Sequence, residues 1–147
     1  MQMKQKWHRH LGVYGICQKD NKMLVIHKGR GPYSGRFDLP GGSIEENETM
    51  VDCLHREFWE ETGIRIKVIE QLFTRDYIVP WESNDDYTHI HHIAIYYGVE
   101  YVEGDIKNCP KIDDSLGAEW INFEDIDENN SSPLVIEVKS IKNNSFN

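Results

Sequence analysis

Glu57, Glu60 and Glu61 have the spacing of a carboxylate cluster on one side of a helix. At about 100° per residue, Glu57 and Glu61 fall one turn apart and Glu60 lies beside them. Met50, Val51, Leu54 and Phe58 share an arc, the face expected to lie on a sheet, and the glutamates border it. Arg56, Asp52 and Trp59 point largely the other way, and i,i+4 spacing lets Arg56 pair with Asp52 or Glu60. Three carboxylates this close repel one another unless cations occupy the cluster. Hard oxygen donors suit magnesium or manganese and not zinc. Glu60 and Glu61 also fall in the last helical turn, where the backbone dipole disfavours acid. A local rule broken at one place marks a functional site. The alternative is an acidic face turned to water.

The elements that position this cluster follow from pattern and punctuation. Leu11 to Cys17 reads as a strand, Gln18 to Lys22 as a tight turn around Asp20-Asn21, and Met23 to His27 as the returning strand of a hairpin. Lys28 to Arg36, with three glycines and a proline, reads as a loop. Asn47 or Thr49 can cap a helix running to about Thr62, and Gly63 is a natural left-handed terminator. Ile64 to Tyr77 and Ile90 to Val102 carry enough branched residues for strands, with a polar loop from Ile78 to Thr88 between them. Ala118 to Phe123 is a short strand. Ser131 to Ile141 is a last helix, with a frayed end from Asn143. Strands on both sides of a central helix, plus a late helix, give a mixed α/β fold in a single domain over 1–147, with 1–10 and 143–147 peripheral.

Gly42 to Ile64 also matches a known pattern. It places a glycine, five residues, a glutamate (Glu48), seven residues, then Arg56-Glu57-Phe58-Trp59-Glu60-Glu61-Thr62-Gly63-Ile64. This resembles the 23-residue signature of the Nudix hydrolases, MutT-like proteins, at every fixed position. Phe58 stands where the family usually has an aliphatic residue, a change of packing only. Leu39-Pro40-Gly41-Gly42 and Glu119-Trp120 also look like the family. The resemblance implies an α/β/α sandwich around a mixed sheet. It implies that Glu57, Glu60 and Glu61 bind the metal, that Gly42 offers its backbone carbonyl, that Arg56 orients the glutamates, and that Glu48 supports the site directly or through Arg56.

The implied reaction is Mg²⁺- or Mn²⁺-dependent hydrolysis of a nucleoside diphosphate linked to X, releasing a nucleoside monophosphate. Nucleoside triphosphates, oxidised ones included, come first as substrate, with pyrophosphate as second product. ADP-ribose or nucleotide sugars are the alternative, ahead of dinucleoside polyphosphates and capped RNA ends. A non-catalytic nucleotide-sensing module and an acidic interaction domain are the readings of another class. Glu60 and Glu61 within the signature, and Asp114 or Glu119 outside it, are candidates for the general base.

Substrate contacts are sought in the loops. Lys28, Arg30 and Arg36 can neutralise distal phosphates, although no GK[ST] follows the glycines as in a Walker loop. Phe37 and Asp38 stand beside the signature and can line a base pocket. Trp81 or Tyr87, in the loop with Glu82, Asp85 and Asp86, can stack on a purine. On a strand His89 and His91 share one face and His92 takes the other, which argues against a zinc site; one of them touching substrate or acting as an acid-base group is the lesser alternative to a structural role. Tyr96, Tyr97, Tyr101 and Trp120 read as core or edge aromatics.

The 147 residues carry 25 acidic and 16 basic side chains, a formal charge of -9. That balance argues against nucleic acid polymers and anionic membranes as partners, not against a small phosphorylated molecule. Cys17, Cys53 and Cys109 give neither a disulfide framework nor a zinc motif. No segment has the length of a membrane span. With no export signal at the polar, basic start, a cytoplasmic location is expected. Homodimerisation stays open.

Overall fold

The computed structural model describes residues 4–81, 86–106 and 115–145. Among the described residues there are seven strands: β1 (Trp7–Lys19), β2 (Lys22–Lys28), β3 (Phe37–Asp38), β4 (Gly41–Ser43), β5 (Ile64–Pro80), β6 (His89–Gly104) and β7 (Ser115–Asn122). Helix α1 spans Met50–Thr62 and α2 spans Pro133–Ser145.

The β1–β2 hairpin turns on Asp20 and Asn21, both with positive φ, as a two-residue hairpin turn of the right twist requires. Beyond the hairpin the two strands part. β1 pairs parallel with β6 from Trp7–His89 to Cys17–Val99, and antiparallel with β4. β6 pairs antiparallel with the long β5. β2 pairs with β3 and β7. The sheet is therefore mixed, with one parallel pair at its centre.

Alternation along β1 divides the core in two. Val13 and Cys17 face α1, where they meet Cys53, Leu54 and Phe58. Tyr14 and Ile16 face α2, where they meet Leu134, Val135 and Val138. The helices thus cover opposite faces of the sheet, the α/β/α arrangement expected from the sequence.

Helix α1 begins at Thr49, whose hydroxyl accepts from the Asp52 N–H while the Asp52 carboxylate accepts from the Thr49 N–H. This reciprocal cap uses Asp52 where the sequence left it free for Arg56. The helix ends at Gly63, in the left-handed region at φ 73°. Val51, expected on the sheet-facing arc, is exposed, and Cys53 takes its place. The wheel placed the arc's edge one position off; the buried stripe runs through Cys53, Leu54, Phe58, Glu61 and Thr62.

Several boundaries differ from the sequence expectation. β1 starts at Trp7, and β5 and β6 reach Pro80 and His89, because a continuous ladder to β6 carries polar residues that have no strand pattern of their own. α2 starts at Pro133, after Ser132 accepts from the Val135 N–H, and runs to Ser145. Cys17 and Cys53 are free and buried; Cys109 lies outside the described residues. No helix among the described residues is long and apolar enough to cross a membrane.

Candidate active site

The signature closes on itself around Arg56. Its Nε and Nη2 donate to the two oxygens of Glu48 at 2.7 and 3.0 Å, a bidentate grip. Nη1 donates to Glu57 Oε1 at 2.8 Å and to Glu60 Oε2 at 3.2 Å. Nη2 also donates to the Ser43 carbonyl at 3.1 Å, tying helix to β4. Arg56 leaves the helix on another side yet reaches back to Glu57 and Glu60, the orienting contact expected of it. Hydrogen bonding to Arg56 holds the Glu48 carboxyl down at about 2.

Glu61 is the buried member, 3% exposed, and its Oε1 accepts from the Gly41 N–H at 2.9 Å. Burial first, then the Glu57 charge, pushes its carboxyl well above the ordinary range. Glu57 is also pushed up, chiefly by burial, and accepts a hydrogen bond from Glu61. Glu60 is the more open, with 32% of its side chain exposed.

Two glycines make this approach possible. Gly41 has φ 146° and a Cβ there would fall 2.1 Å from the Val13 carbonyl. A Cβ on Gly42 would fall 3.0 Å from Glu57 Oε1. The Leu-Pro-Gly-Gly run therefore presses β4 against β1 and the acidic face of α1.

Against Glu45, Glu48, Glu57, Glu60 and Glu61 the described residues set one guanidinium. Among the described residues no three His, Cys, Asp or Glu side chains converge as they stand on a point that could hold a metal ion. The donor set nevertheless fits a hard divalent cation. It is all oxygen, it is crowded, and burial first, with the mutual charge of the carboxylates after it, drives the Glu57–Glu61 pair toward the neutral form.

A cleft of about 400 Å³ adjoins the cluster. His8, His10, Tyr14, Tyr33, Trp81 and His92 line it, with Lys28, Arg30 and Asp38. Tyr14 joins the two regions, because it lies against Gly41 and its phenol is raised partly by the charges of Asp38, Glu61 and Glu57, after burial. The Lys28 charge acts on Asp38, Glu61 and His92.

The expected substrate contacts divide. Arg30, Trp81 and Asp38 line the cleft, and Tyr87 stacks on its wall at His8, 4.6 Å between ring centroids. Burial, the largest influence, raises the Asp38 carboxyl, against the lowering effect of the hydrogen bonds it accepts from the Leu39 N–H and the Ser132 hydroxyl. Phe37 packs instead edge-on to His27 and against the α2-side core, because Phe37 and Asp38 alternate across β3. Arg36 is not among the cleft residues. Glu119 meets His27 at 2.9 Å. Asp114, Glu82 and Asp85 lie outside the described residues.

His8, His10, Tyr14 and Tyr33 were not singled out as substrate contacts from sequence, whereas Lys28, expected near the phosphates, does line the cleft. The signal available was the alternation of His8, His10, Gly12 and Tyr14 on one face of a strand. It became readable only with β1 extended back to Trp7. A second groove, of about 450 Å³, is lined by apolar residues of β5 and α2, among them Ile69, Leu72 and Val138, and by no residue of the signature.

The family model of the NUDIX domain matches residues 6–138. This chain belongs to the Nudix family. The ADP-ribose pyrophosphatase of Methanocaldococcus jannaschii is 34% identical over 119 residues, 81% of this chain and 65% of that relative. The chain thus spans under two thirds of that relative's length. The crystal structure of the MutT protein from Methanosarcina mazei Go1 superposes with a TM-score of 0.72 at 19% identity, covering 99% of this chain and 100% of that one. The Nudix domain of Shewanella oneidensis NrtR, complexed with ADP ribose, gives 0.70 at 17% identity, over 95% and 90%. At those identities the structural likeness speaks for the Nudix fold alone.

Proposed function

We propose that this Nudix domain hydrolyses the pyrophosphate linkage of ADP-ribose or a related nucleotide sugar, with magnesium or manganese. The observation that carries the hydrolase reading is the crowded carboxylate set of Glu57, Glu60 and Glu61 beside a cleft bearing Lys28 and Arg30. The similarity to an ADP-ribose pyrophosphatase favours a two-sided nucleotide substrate. The nucleoside triphosphate reading, first on sequence grounds, becomes second.

Glu57, Glu60 and Glu61, with the Gly42 carbonyl, would hold the cation. Bound there, it would neutralise the diphosphate charge and acidify an attacking water. The chain's own residues do the rest. Arg56 fixes Glu57 and Glu60, and is itself fixed by Glu48. The Gly41 N–H fixes Glu61. Lys28 and Arg30 bring positive charge to the phosphates. The water's proton goes to Glu60 or Glu61; Glu119 is turned to His27.

The test is product analysis with ADP-ribose, nucleotide sugars, and canonical and 8-oxo nucleoside triphosphates, with Glu60→Gln as control. Release of AMP and ribose 5-phosphate from ADP-ribose, abolished in the variant, is the expected result. Preferential release of pyrophosphate from triphosphates would replace the substrate assignment. Binding without turnover of any of them would make the domain a nucleotide-sensing module.

A further inference from the structure

The floor of the cleft carries a second hydrogen-bonded series, this one built from phenols, imidazoles and a hydroxyl. The Tyr33 hydroxyl lies 2.9 Å from His92 Nδ1, and the Tyr14 hydroxyl lies 2.7 Å from His92 Nε2. The Tyr14 hydroxyl is also 3.3 Å from His10 Nε2, and His10 Nδ1 is 3.3 Å from Ser43 Oγ. The series Tyr33, His92, Tyr14, His10, Ser43 runs unbroken from the basic loop to β4, and its first four members line the cleft.

Counting hydrogens limits what this series can do. Burial keeps His92 neutral, pushed down to about 3, so one ring nitrogen donates and the other accepts. If Nε2 donates, to Tyr14, the Tyr33 O–H is consumed on Nδ1. If Nδ1 donates, to Tyr33, the Tyr14 O–H is consumed on Nε2 and Tyr33 keeps its own hydrogen to give. An acceptor in the cleft stabilises that second sense, because it takes the hydrogen that Tyr33 keeps. A phosphoryl oxygen of a diphosphate is such an acceptor, since it carries no hydrogen. Lys28 and Arg30 line the same cleft and supply its counter-charge. Trp81 and His8 beside them suit a base, so the phosphoryl group is the one on the nucleoside side. Gly12 completes the arrangement: a Cβ there would fall 2.4 Å from the Tyr14 hydroxyl oxygen.

We infer that Tyr33 is a specificity-determining donor to the nucleoside-side phosphoryl oxygen of the substrate, aimed by the His92–Tyr14–His10–Ser43 series. His92 and Tyr14 are positioning residues. The inference deepens the pyrophosphohydrolase reading and rests on it for the choice of ligand.

The experiment is calorimetric binding of AMP and of adenosine, with magnesium present, to the wild type, Tyr33→Phe, His92→Leu and His92→Gln. Tyr33→Phe keeps the buried ring. It is expected to weaken AMP roughly tenfold, as loss of a hydrogen bond to a charged acceptor does, while adenosine is unchanged. His92→Leu should show the same selective loss. His92→Gln, whose amide keeps one donor and one acceptor, should restore most of it. In turnover, Tyr33→Phe should raise KM and leave kcat unchanged. Equal loss for both ligands, or no loss for AMP, overturns the inference, as does a Gln variant no better than Leu. If ADP-ribose is not hydrolysed but AMP binding is selectively lost, the function reading fails and this one stands. If ADP-ribose is hydrolysed and Tyr33→Phe binds AMP normally, only this one fails.

Discussion

The two polar networks of this Nudix domain solve burial in opposite ways. Around Arg56, one guanidinium is set among several carboxylates, and charge is left over. Around His92, every buried nitrogen and hydroxyl meets a neutral partner. The first arrangement is at odds with itself until positive charge arrives. The second is complete as it stands and offers a hydrogen only to a ligand that can accept one. A charged, incomplete cluster suits chemistry on a diphosphate, and a neutral, satisfied floor suits recognition.

Four substitutions separate the two networks, in order of expected effect. Glu60→Gln removes a half-exposed carboxylate from the charged network, so turnover should fall roughly a hundredfold or more with the melting temperature unchanged. A steady-state assay beside a thermal melt checks both halves. Gly41→Ala strikes the seam between the networks. Its φ and the Val13 carbonyl leave no room for a methyl group, and a loss of about 3 kcal/mol in urea unfolding is expected.

Arg56→Lys keeps the charge and loses the fork on Glu48, so kcat/KM should drop about tenfold, with cation affinity reduced in titration. At neutral pH the smallest effect belongs to His92, and it grows only on acidification. Its folded-state value is depressed from 6.5 to about 3, so between those values the unfolded chain binds a proton the folded chain does not. Its contribution is complete above pH 6.5 and is lost toward pH 3, by up to about 1.4 kcal/mol per pH unit. His92→Gln should flatten the acid limb of a urea-stability profile by that slope; an unaltered slope would show that His92 is not held neutral.

The two networks also differ in how far they can be read from sequence. Glu48, Arg56, Glu57, Glu60 and Glu61 belong to one helix and the turn before it, so spacing alone brings them together. Gly63 as terminator and Asp20-Asn21 as hairpin turn were legible for the same reason: each acts through local backbone geometry. The cleft is nonlocal. Tyr14 and Tyr33 reach His92 across 78 and 59 residues of chain, through a parallel pairing of β1 with β6 that no local pattern announces. Phe37 and Asp38 were placed together beside the site, but alternation across β3 sends one to the cleft and the other to the core. Of the two partners that i,i+4 spacing offered Arg56, the structure takes Glu60, because Asp52 is used in the helix cap.

The most direct test of the central claim is a parallel titration of manganese binding and ADP-ribose turnover in wild type and Glu57→Gln. The prediction is that chelation abolishes turnover, that manganese restores it over the range in which it binds, and that Glu57→Gln weakens both together. Turnover that survives chelation, or manganese binding unchanged by Glu57→Gln, would contradict the assignment of this carboxylate set as the cation site.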